Sequence, residues 1–189
     1  MLVANPPIPQ TSEALLDRIS QLETRLKTLE EKQPADRLSL IVSSNDFDRL
    51  MPAFILATGA ASMGMEAHLF HTFWGITALK KKPLYEGKNI MERMLTVMLP
   101  SNVGDVNLTK MNMMGAGIAM FKMLMKKHNI STLPELLALS QQLGVKMIAC
   151  QMTMGLMGIT REELIDGIEF GGVAMYLESA SNSRVTLFL

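Results

Sequence analysis

The sequence predicts an α/β fold: a three-layer domain on a mostly parallel sheet of about five strands, preceded by an amphipathic helix. Three observations carry this. Short apolar runs at Leu38–Val42, Glu66–Trp74 and Val145–Cys150 alternate with helix-length segments, the βαβ pattern of parallel pairing. Leu15, Ile19, Leu22, Leu26 and Leu29 step by 4, 3, 4 and 3, a heptad seam. The run ending at Cys150 gives way to Gln151-Met-Thr-Met-Gly-Leu-Met-Gly158, a change from strand to turn and short helix.

Composition narrows the function. Hydrophobic residues make up 48% of the 189, enough for a sizeable core. Eighteen Lys/Arg balance eighteen Asp/Glu, and no basic stripe interleaves with aromatics, so nucleic acid is not an expected partner. One cysteine excludes an internal disulfide and a self-contained dithiol cycle. The N-terminus lacks the charged and apolar regions of a signal peptide. The most apolar segments, Pro52–Met65 and Val145–Ile159, fall short of the roughly 20 residues of a spanning helix. A reducing cytoplasm is expected, with contact at a membrane surface left open. Fourteen of the eighteen methionines lie from Met91 onward. They read as adaptable core and interface, since no run repeats a soft-metal ligand spacing.

Two regions are expected, 1–36 and 37–189. Residues 1–10 are Pro-rich and read as loose. Thr11 to Lys32 is a helix capped by Thr11 or Ser12, with Glu23 and Lys27 on one face. Its seam suits self-association. Gln33–Arg37 links it to the first strand, Leu38–Val42. Ser43-Ser-Asn45-Asp46 then caps a helix from about Phe47 to Gly64, whose Gly59-Ala-Ala-Ser62 allows close packing. Glu66–Trp74 is the second strand.

Asn89–Leu99 has helical spacing, with Ile90, Met91, Met94, Leu95 and Met98 apolar. Pro100–Asp105 reads as loop. Another helix runs from Met113 to His128, entered through Met113-Met-Gly-Ala-Gly117. Thr132-Leu-Pro-Glu135 is a capping box opening a helix that stops at Gly144. Thr160-Arg-Glu-Glu163 looks like a second box. Gly167–Phe170 is a short strand, Val173–Ser179 a helix and Arg184–Leu189 the closing strand.

Chemistry centres on Cys150. At the carboxyl end of a parallel strand it sits where such sheets bind ligands, near N–H groups that stabilise a thiolate. A buried cysteine serving as a small hydrophobe fits the position equally well. Parallel strands bring further candidates to the same edge: Asn45 and Asp46, which also serve as caps, then His71, Thr72 and Trp74. Met152, Thr153 and Gly155 complete a small, mostly apolar pocket. His71 could take a thiol proton, or could be a core histidine. There is no phosphate-binding loop, no nucleophile elbow and no zinc spacing. No cofactor and no metal are expected.

Four segments carry a family likeness: Leu40–Leu50 with Ala57–Gly64, Phe70-His-Thr-Phe-Trp-Gly75, Lys110-Met-Asn-Met-Met-Gly115, and Ile148-Ala-Cys-Gln-Met-Thr-Met-Gly-Leu-Met-Gly-Ile159 through Gly171-Gly-Val-Ala174. The chain resembles the DsrE/DsrF-like sulfur-relay proteins, in the longer branch with an N-terminal extension. The resemblance spans about Leu38 to the C-terminus. It implies a parallel-sheet domain, homo-oligomers such as trimers or hexamers, and cytoplasmic sulfur handling. Partners would be sulfur-donor and sulfur-acceptor proteins or small sulfane-sulfur compounds. The reactive cysteine of such proteins lies after a strand, eight residues before a glycine; Cys150 and Gly158 match. Some relatives carry a second cysteine three residues on, where this chain has Thr153. The resemblance therefore implies a one-thiol carrier of sulfurtransferase type, with a persulfide or thiosulfonate on Cys150. The alternative is a non-catalytic oligomeric scaffold with a buried structural cysteine.

Overall fold

The computed structural model describes residues 12–31, 33–110 and 115–189, in two units, one up to Pro34 and one from Ala35 to Leu189. The expected loose N-terminus, the Thr11 cap, Lys32 and the helix entry at Met113–Met114 lie outside the described residues. No described helix is long and apolar enough to cross a membrane.

The first unit is one helix, α1 (Ser12–Glu31). Leu15, Leu16, Ile19, Leu22 and Leu26 are all exposed on it. Local bonds support its polar side, including Gln21 Nε2 donating to Asp17 at 3.1 Å.

The second unit is built on strands β1 (Ala35–Val42), β2 (Glu66–His71), β3 (Lys146–Cys150), β4 (Glu169–Gly171) and β5 (Ser183–Phe188). They form one sheet in the order β4-β3-β2-β1-β5, and every pairing is parallel. Both faces of the inner strands are buried, so they read as continuous apolar runs rather than alternating ones. Helices α2 (Phe47–Ser62) and α5 (Leu133–Gln142) pack together on one face, over Leu40, Leu69, Met147 and Ala149. Helix α7 (Val173–Ser181) covers the other, over Phe70, Ile148 and Cys150. Beneath α7 runs a polar seam: Ser39 Oγ meets Ser179 Oγ and Ser183 Oγ at 2.8 Å each, and His68 Nδ1 meets Ser179 Oγ at 2.7 Å. Remaining helices are α3 (Ile90–Met98), α4 (Ala116–Lys127) and α6 (Gln151–Met157).

Several expectations need correction. The second strand stops at His71, and Phe73–Leu79 turns into a 3-10 helix instead of continuing to Trp74. The cause is a tight crossing. Thr72 N–H donates to the Val42 carbonyl at 3.0 Å, and a Cβ on Gly75 would collide with that carbonyl. Asp46 stands at the cap position of α2, but its side chain makes no cap bond; its carboxylate accepts from Ser44 Oγ at 2.6 Å. The Thr132–Glu135 box forms as read. The Thr160–Glu163 box also forms its Glu163 arm, Thr160 N–H donating to Glu163 Oε1 at 3.1 Å, but it opens only a single 3-10 turn. Glu163 is buried there, 2.5 Å from Lys88 Nζ and 4.0 Å from Lys80 Nζ, so its carboxylate pins the long excursion between β2 and α5. Helix α3 has the expected apolar stripe, but the stripe faces outward. Ile90, Met91, Met94, Val97 and Met98 are exposed, while Thr96 is buried and accepts from Lys88 Nζ at 3.0 Å.

His71 is fully buried beside Phe54 of α2, with its Nδ1 3.0 Å from the Gly75 carbonyl. Burial pushes its pKa down to about 4, the Gly75 contact opposing only in part. A free histidine binds its proton near pH 6.5, so below that value the unfolded chain takes up a proton that the folded chain refuses. Stability from this site is intact above about pH 6.5 and drains away as pH falls toward 4. Between pH 7 and pH 4.5 the loss comes to about 2 kcal/mol. Denaturant titrations across this range, run beside His71→Asn, should show the native curve falling more steeply with acid; parallel curves would contradict the assignment.

Candidate functional site

Cys150 is the last residue of β3 and the cap residue of α6. Alternation along the strand points it, with Ile148, to the α7 face, where Phe70 and Tyr176 join it in one small cluster. Those two rings lie 5.4 Å apart, centre to centre. The residue is only 4% exposed.

Burial raises the thiol pKa, and it is the largest single influence. Acting together against it are the hydroxyl and N–H of Thr153, the hydroxyl of Thr72 and the N–H of Met152. The balance leaves the thiol below its ordinary pKa. The sulfur closes no cap hydrogen bond with α6. The surrounding dipoles act most strongly on the charged form.

The shell is built from two strand ends. Thr72 follows β2 and Thr153 lies in the first turn of α6, and their hydroxyls meet at 3.1 Å. Phe73 N–H donates to Thr153 Oγ1, also at 3.1 Å. The Thr153 oxygen accepts from Phe73 with one lone pair, and its own proton is free to turn to Thr72 or to sulfur. Phe73 holds a φ of 45°, in the left-handed region that a bulky aromatic adopts at a cost of about 1–2 kcal/mol. That strained residue aims its N–H at Thr153.

The expected site residues divide into groups. Cys150, Thr72, Thr153 and the backbone of Met152 come together. His71 does not join them: alternation puts it with Leu69 on the α2 face, opposite Cys150. Its Nδ1 donates instead to the Gly75 carbonyl at 3.0 Å. Asn45, Asp46 and Trp74 line a separate groove of about 550 Å³ at the end of β1. Its wall carries the carboxylates of Asp46 and Asp105 and no cationic side chain, so it repels anions. The expected methionine pocket is replaced by aromatics. The Met152 side chain is 65% exposed, and Gly155 faces open space. The sulfur packs instead against Phe70, Ile148 and Tyr176.

Two residues escaped the sequence reading. The Phe73 N–H is invisible to side-chain reasoning. Gly75 gave a usable signal, because a glycine ending a strand-like run marks close backbone approach. Among the described residues, no group of three His, Cys, Asp or Glu side chains is placed to hold a metal ion.

Comparison with known proteins adds the following. The model of the DsrE/DsrF/DrsH-like family matches residues 34–188. A Bacillus subtilis protein, YrkE, is 44% identical over 154 residues, covering 81% of this chain and 96% of the relative. The sulfur carrier protein DsrE2 of Allochromatium vinosum is 36% identical over 157 residues, covering 81% of this chain and 98% of the relative. The crystal structure of the ychN protein from E. coli aligns with a TM-score of 0.49 at 15% identity, over 81% of this chain and 98% of that one.

The shell sets a clear expectation for two variants. Thr153→Val keeps the shape but removes a hydroxyl beside sulfur, and should raise the Cys150 pKa and slow alkylation at neutral pH several-fold. Thr153→Ser should retain most of the native rate. Iodoacetamide kinetics against pH check both; equal rates in Val and Ser variants would show that the hydroxyl does not act on the thiol.

Proposed function

The chain belongs to the DsrE/DsrF/DrsH-like family, and from that premise we propose that it works in sulfur relay, carrying sulfane sulfur on the single thiol of Cys150. One observation carries the reading: a buried cysteine whose neighbours favour its thiolate against the cost of burial. A cysteine serving only as a small hydrophobe needs no such donors. The sulfur carrier among the relatives supports the same direction.

The donors around Cys150 ease loss of its proton, and the resulting Sγ thiolate attacks the outer sulfur of a persulfide donor. The donor's S–S bond breaks, its thiolate departs with the electron pair, and Cys150 holds a persulfide. From tetrathionate the thiolate attacks one of the two central sulfurs; the bond between them breaks, thiosulfate leaves with the electron pair, and a thiosulfonate stays on Cys150. In the second half, an acceptor thiolate attacks the outer sulfur and Cys150 leaves as the thiolate it was. The sulfur moves without net oxidation or reduction. The Thr72 and Thr153 hydroxyls can rotate to follow charge from Sγ to the outer sulfur. Phe70, Ile148 and Tyr176 keep water from the inner one. With Thr153 in place of a second thiol, no internal attack can discharge the persulfide as a disulfide, so release waits for a partner.

Incubation with a persulfide donor, followed by intact mass measurement, tests this. The expected product is heavier by one sulfur atom, is cleared by dithiothreitol, and is absent in Cys150→Ser. A native protein that gains no sulfur under conditions where free cysteine does would leave Cys150 as a structural residue and the chain as a scaffold.

A further inference from the structure

Helix α1 stands outside the family match, which begins at residue 34. The two relatives are matched over 96% and 98% of their lengths but cover only 81% of this chain, so most of this segment is additional to the sulfur-relay fold. It has its own exposed apolar face, formed by Leu15, Ile19, Leu22 and Leu26. The spacing assigns Leu15, Leu22 and Leu29 to heptad position d, and Ile19 and Leu26 to position a.

The flanking charges follow from the same register. Arg18 and Arg25 fall at g; Glu23 and Glu30 fall at e. In a parallel, in-register pair, each g residue faces the e residue five positions later on the other helix. Arg18 then meets Glu23 of the second copy, and Arg25 meets Glu30, each contact occurring twice. In an antiparallel pair g faces g and e faces e, which sets arginine against arginine and glutamate against glutamate. The pattern satisfies one arrangement and penalises the other.

We propose that α1 is a parallel, in-register coiled-coil seam whose partner is α1 of a second copy of this chain. Both chains leave such a coil at the same end. Residues 32–34 then tether each Cys150 domain to that end, raising the concentration of one domain beside the other. This proposal stands on the helix alone and survives even if Cys150 carries no sulfur.

The test uses the full chain with Leu15→Cys in a Cys150→Ser background, so that the only thiol marks position d near the start of the seam. Mild oxidation should convert most of the protein to a covalent dimer on a non-reducing gel. Adding Arg18→Glu with Arg25→Glu sets acid against acid at every g–e contact, and yield should fall by about tenfold. Adding Glu23→Arg with Glu30→Arg instead sets base against base, with the same loss. Mixing these two charge variants should restore the dimer as a mixed species, which shows that each helix is intact. No dimer from the background with its native charges, or a yield indifferent to charge reversal, would overturn the proposal.

Discussion

A sulfur anion held away from water is tolerated only where dipoles replace the water it has lost. The proposed site at Cys150 is arranged around that constraint. Burial among Phe70, Ile148 and Tyr176 pushes the Cys150 thiol up. Two hydroxyls and two backbone N–H groups pull it down and prevail. Remove the donors and the same pocket would hold an inert thiol. Remove the apolar walls and water would compete for the sulfur. The combination suits a group that must hold a labile sulfur atom and surrender it to a thiol.

The donors come from different parts of the chain, so the sheet must bring them together. Parallel pairing places the end of β2 beside the end of β3, which sets Thr72 and Phe73 against the first turn of α6. Phe73 is held in a left-handed conformation that its side chain alone would avoid. Compensation comes from the crossing beneath it. Thr72 N–H and Gly75 sit on the backbone that follows β1, and buried His71 grips the Gly75 carbonyl from the other face. His71 thus contributes by fixing backbone, and its neutral state at ordinary pH follows from where it must stand.

Much of this was legible in the residues. Apolar runs of strand length, separated by caps and helices, gave the parallel sheet and its five strands. The strand-to-helix change at Cys150 marked the centre of the proposed site, and the structure places Thr72 and Thr153, both read from the sequence, beside it. What the residues concealed was direction. A strand pattern through Phe73 and Trp74 cannot show that the backbone turns at His71, because the turn is forced by the Val42 carbonyl on another strand. Likewise, spacing shows that α3 has an apolar stripe, but not that buried Lys88 and Thr96 turn the stripe outward. A methionine near the thiol in sequence proved to point into solvent, while the walls came from Phe70 on the neighbouring strand β2 and Tyr176 on α7, both distant in sequence.

The central claim is that the folded chain favours the thiolate of Cys150 despite burying it. The most direct measurement is the ultraviolet absorbance of the thiolate, followed against pH and corrected with Cys150→Ser. The account predicts a midpoint below that of an ordinary cysteine, about 8.5, in the folded protein, returning to the ordinary value in denaturant. A folded midpoint above the ordinary value would mean that burial wins, and that Cys150 is core rather than carrier.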